Sequence, residues 1–192
     1  MLGERLTVLL GNHDIAYLEA VRRREGGGPP TSRRYRCTGY TDERAAVIAE
    51  ALGEEFLREC RLFQYVNGHL VSHAGLAGRF RYPELPLDEA LKALDADCRQ
   101  ALENVSAEGS PLLEAGAIRG GRSSVGGITW LDFDHEFTDA EIGPPQICGH
   151  TVYPRGDPRE RVRFKGRSCC LDGHQTCYGR LHQEGRVEFR VF

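Results

Sequence analysis

Residues 7–14 read TVLLGNHD. A β-branched and leucine run is a strand signal, and the Gly-Asn-His-Asp that stops it brings an amide, an imidazole and a carboxylate to the strand's end. The design recurs twice. Residues 70–76 read LVSHAGL and residues 146–151 read QICGHT, so a short apolar run again halts at a histidine flanked by glycine or another small residue. In α/β sheets, ligands sit beyond the carboxyl ends of strands, where small residues let the backbone approach an ion or a phosphate. Three such turns predict one convergent site.

Around these runs the chain alternates helix and strand signals. Residues 15–24 have helical composition, with Leu18 and Val21 on one face, and Thr41-Asp42-Glu43 supplies an N-cap and an acidic first turn before Ile48, Leu52 and Phe56 recur at i+4. Pro86 announces a further helix with Leu87, Leu91, Leu94, Cys98 and Leu102 on one face. Asn67-Gly68, between residues 62–65 and 69–72, is the strongest short hairpin signal. The tail is strand-rich, through VRF, SCCLD, CYGRLH and RVEFRVF, the last two joined at Glu184-Gly185. GGGPPTSRR, residues 26–34, cannot continue a helix and is expected to be the most mobile surface loop. Strands outnumber helices, and the class expected is a layered α/β sandwich spanning residues 1–192 as one domain.

Composition narrows the function classes. The 192 residues carry a formal charge of −3 and are 40% hydrophobic, with a pI near 6.2. That balance supplies no global field for nucleic acid or an anionic membrane, so any anion handling must be local. No apolar stretch approaches the roughly 20 residues of a membrane span, which gives a cytoplasmic expectation. Seven scattered cysteines without a C-x-x-C pair read as reduced thiols. Cys169 and Cys170 are adjacent in a strand signal and point to opposite faces, which argues against a structural zinc shared with Cys177. Arg22, Arg23 and Arg24 with Arg33, Arg34 and Arg36 form a basic patch around the flexible loop, without aromatic interleaving. This reads as a solvated loop or, at most, a contact for a phosphorylated substrate.

His73 and His150 offer neutral imidazole nitrogens and Asn12 a carbonyl oxygen, a mixed set suited to Mn, Fe or Zn rather than calcium. Each has an alternative: a lone strand-end histidine is commonly structural, and Asn12 suits a helix cap. The ordered set GNHD (11–14), SHAGL (72–76) and GHT (149–151), each after an apolar run, resembles the later motifs of the calcineurin-like metallophosphoesterases. The pattern is closest to their serine/threonine phosphatase and diadenosine tetraphosphatase side. The resemblance implies an α/β/β/α sandwich in which Asn12, His73 and His150 ligate the second metal. It makes His13 the general acid that protonates the leaving alkoxide, with Asp14 orienting its ring. Two metals would activate water for in-line attack on a phosphomonoester or phosphoanhydride, with a phosphoprotein or nucleotide as substrate. Arg119, Arg122 and Arg155 are candidates for the phosphate fork.

The resemblance also carries a gap. The family's upstream Asp-x-His and Gly-Asp motifs have no counterpart in the ten residues before Gly11. Asp172-Gly173-His174 and Gly156-Asp157 do not replace them, because joining the chain ends would place them in reverse order. The expectation is therefore the later part of such a domain, truncated at its N-terminus and holding one metal or none. Whether it acts alone stays open, and its sheet would present an exposed edge able to pair with another chain. The alternatives are a non-catalytic binding or regulatory remnant and a domain whose histidines are structural.

Overall fold

Asn67 and Gly68 both have positive φ, 46° and 79°, the two-residue geometry that matches the right-handed twist of a hairpin. They close β1 (Phe63–Val66) onto β2 (His69–Ser72), with Phe63 opposite Ser72 and Val66 opposite His69. The computed structural model describes residues 6–51, 56, 59–138, 143–152, 162–172 and 177–191. Within them β2 continues into a parallel pairing with β3 (Gln146–Cys148). The edge strand β4 (Arg163–Lys165) turns back antiparallel onto β5 (Ser168–Cys170), and β5 in turn lies parallel to β3. The spatial order is β1-β2-β3-β5-β4, a parallel centre flanked by antiparallel edges. β3 and β5 are buried at every residue, as strands covered on both faces must be. A separate ribbon pairs β6 (Cys177–Leu181) with β7 (Val187–Val191) through a turn at Gly185, φ 80°.

Three long helices complete the described chain. In α1 (Asn12–Glu25), Ile15, Leu18 and Val21 are buried. α2 (Asp42–Ala51) starts where the Thr41 hydroxyl accepts the Arg44 N–H at 3.2 Å. α3 (Leu87–Glu103) buries Ala90, Leu94, Cys98 and Ala101, a stripe at helical spacing. One core cluster gathers Ile15, Leu18, Leu62, Leu70, Leu76, Leu94 and Ile128. A second packs Leu131, Phe133, Phe137, Cys148 and Cys170, with Phe133 and Phe137 stacked at 5.1 Å. Among the described residues no helix is long and apolar enough to cross a membrane.

The α/β class expected from the sequence holds. Of the expected α/β/β/α layering, the described residues supply one five-stranded mixed sheet and a two-stranded ribbon in place of a full second sheet. Residues 6–10 do not form a strand: only Leu9 bridges, to Arg61, through the Leu10 N–H to the Arg61 carbonyl and the Arg61 N–H to that of Val8. Leu52, in the expected stripe of the second helix, lies outside the described residues.

The loop expected to be mobile is instead tied down along its second half by a buried carboxylate. Glu19, with no exposed surface, accepts the Ser32 hydroxyl at 2.6 Å and the N–H groups of Arg33, Arg34 and Tyr35 at 3.0, 3.0 and 3.3 Å. The Arg23 guanidinium donates to its other oxygen at 3.1 Å. Burial raises the Glu19 pKa, and these hydrogen bonds more than reverse it, holding the carboxyl below its ordinary value.

Candidate functional site

Because β2 and β3 run parallel, the residues that follow them emerge on the same edge of the sheet. His73 follows Ser72, and the turn beyond it is pinned twice. The Gly75 N–H donates to the Ser72 hydroxyl at 3.1 Å, and the buried Gln146 amide bonds both Leu76 backbone groups, accepting N–H at 2.7 Å and donating to the carbonyl at 2.9 Å. On the neighbouring strand Gly149 donates its N–H to the His73 carbonyl at 2.7 Å. His150 then takes φ 66°, a left-handed conformation uncommon outside glycine and typical of functional turns. The third element is α1. It begins at Asn12, so Asn12 and His13 lie in its first turn, and a Cβ added at Gly11 would come within 2.8 Å of the His73 ring.

The sequence-predicted residues Asn12, His73 and His150 do meet. His73 Nε2 lies 3.0 Å from Asn12 Oδ1 and 3.1 Å from His150 Nδ1. An amide oxygen only accepts, so the proton sits on His73 Nε2, shared between Asn12 Oδ1 and His150 Nδ1. His150 then carries its own proton on Nε2, a buried atom with no hydrogen-bond partner among the described residues. Trp130 packs edge-on against the His150 ring at 5.5 Å. Burial lowers the pKa of both histidines. For His73, Asp14 and Asp172 partly oppose it, whereas His73 and Arg119 push His150 down further, to about 3. Both rings are neutral near pH 7.

His13 is exposed at the mouth of this cluster and close enough that its charge lowers the pKa of both other rings. Asp14 accepts the Gly11 N–H at 2.8 Å, closing the start of α1. Among the described residues no hydrogen bond joins its carboxylate to the His13 ring.

Several site residues escaped the sequence reading. Asp132, 4% exposed, accepts the Arg119 guanidinium at 2.8 Å and His135 Nδ1 at 2.8 Å. Burial raises its pKa, and the His135 and Arg119 interactions reverse this, leaving it low. Arg119 also donates to the Thr151 hydroxyl at 3.3 Å, which fixes the guanidinium beside the His150 turn. Of the three arginines considered for a phosphate, Arg119 is thus the one at the cluster, and Arg155 lies outside the described residues. Asp172 follows β5 on the same sheet edge and acts electrostatically on His73. It had been set aside with the out-of-order Asp-x-His. The signal available was its position after a fourth apolar run, residues 168–171.

The donor set does not fit the expected divalent metal. Asn12, His73 and His150 supply an amide oxygen and two neutral imidazoles without an anionic ligand, and the His73 Nε2 proton is already shared between the other two. Among the described residues no group of three His, Cys, Asp or Glu side chains is placed to hold an ion. All seven cysteines are free thiols. Cys148 and Cys170, nearest the site, are 4% and 0% exposed, and Cys170 Sγ faces the Gly149 carbonyl at 3.3 Å, so neither is presented to a substrate.

No family model matches this chain, and no curated protein does. Solved structures do match at low identity. A cold-active protein-tyrosine phosphatase of the psychrophile Shewanella sp. aligns with 20% identity and a TM-score of 0.49, over 95% of this chain and 58% of that one. A point mutant of a cold-active protein tyrosine phosphatase, with methionine in place of an isoleucine, aligns with 19% identity and the same TM-score and coverage. This chain thus spans less than two thirds of the length of the structures it matches. The calcineurin-like metallophosphoesterase expectation is corrected here, together with its Mn, Fe or Zn cofactor. Among the described residues no three His, Cys, Asp or Glu side chains could share an ion, and the clustered donors lack the anionic ligands a metal pair needs.

Proposed function

We propose that this chain binds a phosphorylated substrate at the carboxyl ends of β2 and β3 and transfers its phosphoryl group to water. The observation that carries the reading is the partly exposed Arg119 guanidinium, held by Asp132 and Thr151 at the turn that carries His150. A guanidinium fork suits the oxygens of a phosphoryl group. Burial, His73 and Arg119 hold the His150 pKa near 3, so its ring stays neutral beside the guanidinium. Arg119, fixed by Asp132 and Thr151, supplies the positive charge that an equatorial oxygen gathers in the transition state. As the phosphorus–oxygen ester bond breaks and the water oxygen bonds to phosphorus, the His13 ring donates a proton to the departing oxygen, one proton of the attacking water leaves to solvent, and His13 regains its proton from solvent. Asp14 supports this by anchoring the turn that carries His13. The free thiols favour a reducing compartment, and we place the chain in the cytoplasm.

The test is hydrolysis of p-nitrophenyl phosphate by the full chain, with His13→Asn and His150→Phe as variants. The expected result is turnover that falls roughly 100-fold or more in each variant. Absence of turnover in the unmodified chain, or variants as fast as it, would overturn the reading.

A further inference from the structure

Beside the imidazole cluster lies a cleft of about 680 Å³ whose charge is not that of the molecule. The chain is net −3, yet six arginines line this one space. Arg23, Arg33, Arg34 and Arg36 come from the end of α1 and the loop after it, and Arg119 and Arg122 from the glycine-rich segment across the cleft. Glu114 is the one carboxylate in the lining. Four of the arginines have a carboxylate within reach: Arg23 with Glu19 at 3.1 Å, Arg34 with Glu114 at 4.0 Å, Arg36 with Asp42 at 3.0 Å and Arg119 with Asp132 at 2.8 Å. Arg33 and Arg122 have no ion pair among the described residues. Guanidinium groups stay charged at any physiological pH, so the cleft keeps an excess of positive charge.

Such crowding is self-repulsive, and the fold holds it in place. The loop backbone wraps the buried Glu19 carboxylate with three successive N–H groups. This turns the side chains of Arg33 and Arg34 outward, where both are exposed. The cleft joins the cluster through Trp130, which packs against the His150 ring, and Arg119, which bonds Thr151 in the same turn.

We propose that this cleft is an accessory anion site, taking a second anionic group of a small ligand whose reacting phosphate lies at His150. The assignment rests on the reading of that cluster as the reacting site. Its volume lies in the small-molecule range of roughly 300–1,000 Å³, and guanidinium forks on two walls suit phosphate or carboxylate oxygens approached from both sides. The preferred substrates therefore carry two separated anionic groups.

The probe is inorganic tripolyphosphate, titrated calorimetrically into the full chain and into an Arg33→Ser/Arg34→Ser double variant. Both side chains are exposed, so the variant keeps the core. Expected are binding that weakens at least 10-fold in the double variant and weakens further as salt is raised. Hydrolysis of p-nitrophenyl phosphate, which has one anionic group, should stay within about 2-fold of the unmodified chain. Equal tripolyphosphate affinity in both proteins would overturn the proposal, leaving solvated arginines. Parallel loss of p-nitrophenyl phosphate turnover in the double variant would also overturn it, by merging the cleft with the reacting site. A single-stranded RNA binding more tightly than tripolyphosphate at equal phosphate concentration would assign the cleft to nucleic acid instead. Should p-nitrophenyl phosphate turnover be absent altogether, the reacting-site reading fails, while the calorimetric comparison still decides whether the cleft binds anions.

Discussion

Gly11 shows how little tolerance the site has at the level of single atoms. A methyl group there would stand 2.8 Å from Cε1 and Nδ1 of His73, so Gly11→Ala must displace the ring from Asn12 and His150. The expected outcome is a folded protein whose His73 and His150 imidazole proton resonances shift and whose turnover falls as far as in the His150 variant. Glu19 illustrates the opposite case, a charge serving structure. Its carboxylate collects hydrogen bonds from one hydroxyl and three backbone N–H groups, and Glu19→Gln is expected to cost about 2–3 kcal/mol in urea unfolding. Because the folded pKa is depressed, the carboxylate's contribution is fully present above the unfolded value near 4.5 and disappears as pH falls through the lower folded value. The stability gap between the unmodified chain and Glu19→Gln should therefore be constant above about pH 6 and narrow progressively below about pH 4.5.

At the scale of elements, site placement depends on the parallel pairing of β2 with β3, and Gln146 locks the turn after one to the start of the other. Gln146→Ala would leave the buried Leu76 N–H without its partner, while the Leu76 carbonyl keeps the Arg81 guanidinium, and is expected to destabilise by about 1–3 kcal/mol in urea unfolding. The hairpin at Asn67-Gly68, the helices that start after Thr41 and Pro86 and the short β3 were all legible, because each depends on local chemistry: a left-handed turn, a cap, a buried apolar run. Residues 6–10 were misread for the complementary reason. Their β-branched composition favours extended backbone, but a strand exists only where a neighbour pairs with it, and Arg61 supplies one bridge. The loop at residues 26–34 was misread too, since the residue that orders its far half, Glu19, sits well upstream on a helix whose sequence offers no hint of an inward-facing carboxylate.

For the molecule as a whole, convergence of Asn12, His73 and His150 was readable from three strand-end patterns, whereas the Arg119–Asp132–Thr151 network was not. Its members lie on separate turns that only the tertiary fold brings together. Metal content is the global check on the correction of the cofactor. Elemental analysis of chain purified without added metal should give well under one divalent ion per molecule; about one ion, lost in His73→Ala, would reverse the correction. Finally, the 2.7 Å hydrogen bond from the Gly149 N–H to the His73 carbonyl ties the two histidine-bearing turns together. One turn cannot lift away without exposing that amide, so its solvent hydrogen-exchange rate is a built-in gauge of how often the whole site opens.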